Sequence, residues 1–267
     1  MNIFKSLFRK KIKDHFKING FLITGDKLHL GGINNTKGLN NGFKIIKKYL
    51  PEKPVVIDVG AYIGSYSLKY SAIPDSTIYS IEPLKSNFEL LLKNVQYNKI
   101  SNIKCFQIGV SDTNGKAFFG NPTREQGWRY RFEDAEDKAF NSIYANKVMN
   151  ESNVINGEEC EIVTLDDFID KNDIKKVDFI KIDAEGHDLN VLKGANKTIL
   201  KHKPILQVEA IDYILQLAGL TVDDIINHIN GLNLYDLYYF TKNSKSIKRI
   251  EDNNYPRGMN LLLIPKK

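Results

Sequence analysis

The chain has 267 residues, 42% hydrophobic and 26% charged, an ordinary composition for a globular protein of one large domain with appendages. No run approaches the roughly 18 apolar residues of a membrane span, and the first 13 residues lack the apolar block and small-residue cleavage site of a signal peptide. Two cysteines, Cys105 and Cys160, are too few for a disulfide framework or a thiolate metal cage, which fits a reducing cytoplasm.

The net charge of +6 and pI of 9.0 are unevenly placed. Lys5, Arg9, Lys10, Lys11, Lys13 and Lys17 face only Asp14 within the first 20 residues, leaving the remaining body at +1. A near-neutral body argues against RNA or DNA as partner. The basic start is also amphipathic, with Ile3, Phe4, Leu7, Phe8 and Ile12 among the lysines. It suits peripheral contact with an anionic inner membrane face or a protein partner, and equally a helix packing on its own domain.

Residues 1–50 read as a helical, turn-rich extension, with the Gly/Asn-rich stretch 31–42 as a loop. The main domain is expected over 51–267. Apolar runs predict strands over 55–60, 78–82 and 103–110, with a helix over 84–97 carrying Phe88, Leu91, Leu92 and Val95 at helical spacing. An insertion at about 113–165 interrupts the alternation. Its ends, 116–119 and 160–165, have β character, and between them lie Trp128, Tyr130, Phe132, Tyr144, Arg124, Arg129 and Arg131. These suit covering a sugar or an anionic group, or simply anchoring the insertion. Strands are expected again over 177–183, 204–209, 234–240 and 258–264. Strands alternating with helices predict an α/β doubly wound sheet.

Two segments carry chemistry. The first, Val55 to Gly64, is an apolar strand ending in Asp58, followed by Gly60-Ala61-Tyr62-Ile63-Gly64. Glu82 ends the next strand 22 residues after Gly60, where a Rossmann-type unit places the carboxylate that takes two ribose hydroxyls. Tyr62 stands where a dinucleotide fold needs its middle glycine, and no phosphate loop of the Gly-x-x-x-x-Gly-Lys type exists. The turn therefore suits S-adenosylmethionine, a nucleoside cofactor without phosphate. The second segment, Phe179 to Ala195, is a strand ending in Asp183, a turn with Glu185, Gly186 and His187, and a helix with Leu189, Leu192, Ala195 and Ile199 on one face. Ligands bind outside the carboxyl ends of strands in open α/β sheets, so Asp183, Glu185 and His187 are expected in one crevice with Asp58 and Glu82. Carboxylates and an imidazole gathered there are costly unless they serve chemistry or pair tightly. Asp183 or His187 is the candidate base, with Mg²⁺ as a further option for these donors.

These segments, with Gly109-Val-Ser-Asp112 and Val163-Thr-Leu-Asp-Asp-Phe168, resemble the FkbM family of S-adenosylmethionine-dependent methyltransferases over roughly 54–210. The resemblance implies a class I methyltransferase fold, mostly parallel with one late antiparallel strand. It also implies O-methylation, often of a sugar or polyketide hydroxyl. By position it puts Asp58, Gly60, Ala61, Tyr62, Gly64, Glu82 and Pro83 at the cofactor, and Ser111 or Asp112 near the adenine. Residues 1–50 and 120–160 match no part of the pattern. The leading function is O-methylation of a sugar, glycan or glycosylated metabolite. The alternatives are an RNA 2′-O-methyltransferase and a non-catalytic nucleotide-cofactor-binding module.

Overall fold

A computed structural model describes residues 15–18, 20–25, 36–120, 157–252 and 254–266. The basic segment 1–13 and the aromatic and arginine residues between 124 and 144 lie outside the described residues.

Among the described residues, eight strands form one sheet. Its parallel core is β3 (Val55–Val59), β4 (Thr77–Ile81), β5 (Ile103–Phe106), β9 (Phe179–Ile182) and β10 (Ile205–Ile211). It continues through β13 (Gly258–Pro265), β11 (Tyr235–Phe240) and β12 (Ile247–Arg249), giving the order β12-β11-β13-β10-β9-β3-β4-β5. β13 runs antiparallel to both β10 and β11 and is the expected late antiparallel strand. The short edge strand β12, which the sequence did not disclose, pairs antiparallel to β11.

Helices cover both faces, so the central strands are apolar on both sides and alternate residues enter different cores. Ile57, Ile180 and Ile182 pack with α4 (Leu165–Lys171), α5 (Asp188–Lys193), α6 (Asn196–His202) and α7 (Val222–Leu232). Val56, Ile78 and Phe179 pack on the opposite face with α1 (Thr36–Ile46), α2 (Ser65–Ser71) and α3 (Lys85–Tyr97).

The sequence expectations fail at several places: the helix expected through Ile199 is two, α5 and α6, and the extension read as helical holds a β hairpin over 15–18 and 21–24. Two further failures have identifiable reasons. The Gly/Asn-rich loop becomes helix α1 from Thr36 onward. Leu39, Phe43 and Ile46 recur at helical spacing, Ile46 is fully buried, and the Phe43 ring lies 5.6 Å from that of Tyr70. Tertiary burial overrides the weak helix propensity of Gly and Asn. The single strand expected over 103–110 is two: β5 closes the main sheet, while β6 (Gly109–Ser111) joins β7 (Gly115–Gly120) and β8 (Gly157–Thr164) in a three-stranded sheet. β7 and β8 pair antiparallel, β6 and β8 parallel.

The hairpin of β1 (His15–Ile18) and β2 (Phe21–Thr24) leans on α3 through asparagine side chains. Asn98 accepts from Leu22 N at 2.8 Å and donates to Leu22 O at 2.7 Å. Asn94, fully buried, accepts from Thr24 N at 2.7 Å and donates to Ile63 O at 2.8 Å. One helical turn thus stands in for a neighbouring strand, and Asn94 also holds the glycine turn after β3. Asn94→Ala leaves a buried N–H and a buried carbonyl unsatisfied and is expected to cost about 2–4 kcal/mol in urea denaturation. A loss under about 1 kcal/mol would show that neither group depends on Asn94.

Candidate functional site

The site is built on two rows of side chains that cross the sheet. The parallel register sets Ser80, Asp58, Lys181 and Gln207 side by side on β4, β3, β9 and β10. All four are buried, with Lys181 only 2% exposed. Two residues further along each strand, on the same face by the period of the pleat, come Glu82, Gly60, Asp183 and Glu209. Backbone bonds carry the ladder into this outer row: Glu82 N to Phe106 O at 3.1 Å, Gly60 N to Ile81 O at 3.0 Å and Asp183 N to Val59 O at 3.2 Å. The outer row lies at the strands' carboxyl ends, where open α/β sheets bind their ligands.

In the inner row, Ser67 of α2 donates to Asp58 Oδ2 at 2.5 Å, and Ser80 donates to Ser67 at 2.7 Å. Lys181 Nζ lies 3.8 Å from Asp58 Oδ1, donates to Asp183 Oδ2 at 2.8 Å, and sits 4.5 Å from the Tyr66 ring centroid. Burial works against this ammonium, but Asp183 and Asp58 outweigh it and hold Lys181 above its ordinary value. Burial pushes the Asp58 carboxyl up, opposed by Lys181 and the Ser67 hydrogen bond.

At the glycine turn, a Cβ on Gly60 would lie 1.9 Å from the Asp183 carbonyl oxygen, and φ there is +73°. Only glycine lets the turn rest directly on the end of β9. Ala61 N donates to Ile81 O at 2.9 Å, and Gly64, with φ +92°, starts α2. Tyr62 takes φ +52° and donates its N–H to Glu82 Oε2 at 2.9 Å. Glu82 Oε1 accepts from Leu84 N at 3.1 Å and Asn87 Nδ2 at 3.2 Å. Burial nevertheless raises the Glu82 carboxyl to about 7. The small sheet docks beside it: Cys160 Sγ donates to Pro83 O at 3.4 Å, and Lys85 N donates to Glu158. Burial pushes both the Cys105 and Cys160 thiols up to about 12, so neither is a nucleophile at neutral pH.

Across the turn, Asp183, Glu185 and Glu209 bring carboxylate oxygens within 4.8 Å of one another. Glu209 was not singled out from sequence; its signal was the shared pattern Asp58-x-Gly60, Ser80-x-Glu82, Lys181-x-Asp183 and Gln207-x-Glu209. Burial, then Asp183, Glu185 and Asp188, push the Glu209 carboxyl well above its ordinary value. Hard oxygen donors of this kind suit Mg²⁺. Lys181 already occupies one Asp183 oxygen, however. An ammonium stands where a divalent ion would need that oxygen, so the donors do not fit a resident Mg²⁺ and no step is derived through one.

His187, Ser111 and Asp112 form a separate group. Ser111 Oγ donates to Asp112 Oδ1 at 3.0 Å and lies 2.8 Å from His187 Nε2. The hydroxyl has one proton, spent on a carboxylate that only accepts, so Nε2 carries the imidazole proton and donates to Ser111. Burial lowers His187 to about 4, against Asp112, so the ring is neutral. Desolvation is the principal cause. Gly194, at the other end of α5, abuts the Ser111 carbonyl, where a Cβ would lie 1.9 Å away. His187 and Gly194 thus clamp α5 onto β6. Asp188 pins the intervening turn by accepting from Ala184 N at 3.0 Å and Gly186 N at 3.1 Å, and burial raises it to about 7.

Glu82 and Asp188 make stability depend on pH. Each carboxyl ionises near 4 when unfolded but near 7 when folded. Between these values the native state holds more protons, so raising the pH destabilises it, by on the order of 3 kcal/mol for each group once above pH 7. Urea unfolding at pH 5 and pH 8 is expected to show this fall, flattened in Glu82→Gln and in Asp188→Asn. Equal slopes in wild type and both variants would refute it.

The Methyltransferase FkbM domain matches residues 58–233. Methyltransferase sdnD of Sordaria araneosa is 28% identical over 177 residues, covering 55% of this chain and 62% of that protein. The hexuronic acid methyltransferase AglP of Haloferax volcanii is 21% identical over 168 residues, covering 62% of this chain and 60% of that protein. The chain thus spans about three-fifths of the length of these curated relatives. Among solved structures, the O-methyltransferase from Bacillus cereus in complex with SAH shares the fold, with a TM-score of 0.50 at 10% identity over 86% of this chain and 81% of that one. The family match runs through both rows of the crevice and on through α7, well over half of the sequence, and the chain belongs to the FkbM methyltransferase family.

Proposed function

We propose that this chain is an S-adenosylmethionine-dependent O-methyltransferase acting on a hydroxyl of a sugar, glycan or glycosylated metabolite. The observation that carries the reading is the contact between Gly60 and the Asp183 carbonyl. It brings the cofactor turn and the carboxylates of β9 and β10 to one point of the crevice. Family membership supports methyl transfer, and the relative described as a hexuronic acid methyltransferase supports a sugar acceptor.

When bound, S-adenosylmethionine supplies a methyl group on a sulfonium. The residues divide the remaining work. Glu82 accepts the ribose hydroxyls on lone pairs left by the Tyr62, Leu84 and Asn87 donors. The Gly60–Gly64 turn lies along the methionine portion, and Ser111 and Asp112 border the adenine. Asp183 is the base: Lys181 holds Oδ2, and the carboxylate, 28% exposed, turns its other oxygen to the acceptor hydroxyl and takes its proton. Glu209 stands beside Asp183, with carboxylate oxygens within 4.8 Å. Glu185 closes the carboxylate wall. His187 braces α5 against β6 through its Nε2 contact with Ser111. In-line positioning supplies much of the rate, and a base adds typically 10²–10⁴-fold.

Ribose hydroxyls donate to the ionised form of Glu82, so binding S-adenosylhomocysteine lowers its pKa from about 7 and releases a proton. Calorimetry in buffers of different ionisation enthalpy is expected to show that release near pH 6.5, with affinity rising as pH climbs through 7. Glu82→Ala should abolish the release and weaken binding roughly tenfold or more. Tighter binding of NAD than of S-adenosylhomocysteine would rule out the cofactor.

Asp183→Asn is expected to lose about 10²–10⁴ in methyl transfer to hydroxylated sugar acceptors with cofactor affinity kept. EDTA is expected to leave wild-type turnover unchanged. Full turnover in Asp183→Asn, or EDTA inactivation reversed by Mg²⁺, would overturn this assignment of the base.

A further inference from the structure

We propose that Lys181 is a positioning residue that holds the Asp183 carboxylate at the carboxyl end of β9 and ties it, through Asp58, to the helix that follows the cofactor turn. With 2% exposure, Lys181 offers almost no surface to a ligand and acts through its neighbours. Its ammonium has carboxylates on two sides, Asp183 at 2.8 Å and Asp58 at 3.8 Å, with the Tyr66 ring against it. Asp58 is itself fixed by Ser67 of α2. The chain of contacts Ser67–Asp58–Lys181–Asp183 runs from the helix after the glycine turn to the candidate base.

Asp183 needs such a tether. It is the first residue beyond β9, and the backbone then passes through positive φ at Glu185 and Gly186. No regular element fixes its side chain from the C-terminal side. Glu209, also an acid, stands next to it and would drive it away. The lysine two residues earlier, on the same face of the strand, supplies both the attraction and the direction. This is the orienting role that a divalent ion fills elsewhere, performed here by an ammonium whose position the sheet register sets.

The kinetic arm of the test rests on the methyl-transfer reading; the structural arm does not. In crystals of Lys181→Met the Asp183 carboxylate is expected to leave its position, and in Lys181→Arg to keep it. Per folded enzyme, Lys181→Met should lower kcat about 100-fold, the effect of a small misplacement of the base, and Lys181→Arg should restore most of it. Cofactor affinity and acceptor KM should stay within about threefold. The double variant Lys181→Met/Asp183→Asn should be no slower than Asp183→Asn, because the lysine acts through the aspartate. If Lys181→Met does not fold, Asp58→Asn/Lys181→Met keeps the buried charge balanced and serves in its place. An unmoved Asp183, or a double variant slower by the full factor of the lysine change, overturns the inference. A wild-type chain that binds no S-adenosylhomocysteine would instead sink the functional reading, and the position of Asp183 in ligand-free crystals would still decide this one.

Discussion

The buried ammonium of Lys181 is the constraint around which the crevice is organised. Moving an ammonium from water into a protein interior costs several kcal/mol even after relaxation, and it is tolerated only with close, well-placed counter-charges. Asp58 and Asp183 are those charges. Their placement follows from the backbone: parallel register puts Asp58 level with Lys181, and the pleat puts Asp183 on the same face one repeat further along. A slip of one residue between β3 and β9 would turn Asp58 into the apolar core of the other face. The polar row therefore specifies register, and register specifies where the site's acids stand.

The same close packing explains why the glycine turn is stiff. Gly60 rests on the Asp183 carbonyl, Ile63 is held by Asn94, and Tyr62 is tied to Glu82. Each contact comes from a different element: a strand end, a helix and a neighbouring strand. The turn has little freedom to adapt to a ligand, and the geometry it offers is set before binding. Preorganisation of this kind spares the ordering cost that a flexible loop would incur on binding.

Much of this was legible in the sequence because it follows short-range rules. Apolar runs ending in Asp58, Ile81-Glu82 and Asp183 mark buried parallel strands whose ends carry polar groups, and Gly60 and Gly64 mark the turn between them. What escaped the reading depended on packing between distant segments. Helix α1 forms in a Gly/Asn-rich stretch because Phe43 and Ile46 find the Tyr70 side of the core. The break between β5 and β6 arises because residues 109–111 pair with a strand some 50 positions away. Glu209 looked like an ordinary strand residue, and only the register with β9 shows that it shares a row with Asp183. His187 has the residue type of a base, but its partner Ser111, against Nε2, lies 76 positions earlier and no local pattern discloses that contact. The repeated polar-x-polar endings of three strands, with Asp58-x-Gly60 on the fourth, were visible throughout; their meaning required knowing which strands are neighbours.

On the proposed reading, the electrostatics of the outer row also bears on the direction of the reaction. A sulfonium is cationic, and acids on β9 and β10 attract it. Such attraction acts on the bound ground state as well as on the transition state, in which the charge is already dispersing, so unchecked it would tighten binding without raising turnover. Lys181 moderates that excess: the three-carboxylate wall faces the crevice with part of its charge already neutralised by the ammonium. What remains is concentrated on Asp183, at the end where the acceptor hydroxyl must lose its proton. Once the methyl group has moved, the cofactor product is neutral and the aspartate holds the proton, so the attraction that held the reactants is spent on both sides. A site with the same acids but no buried ammonium would hold its cofactor more strongly and let go of its chemistry less readily.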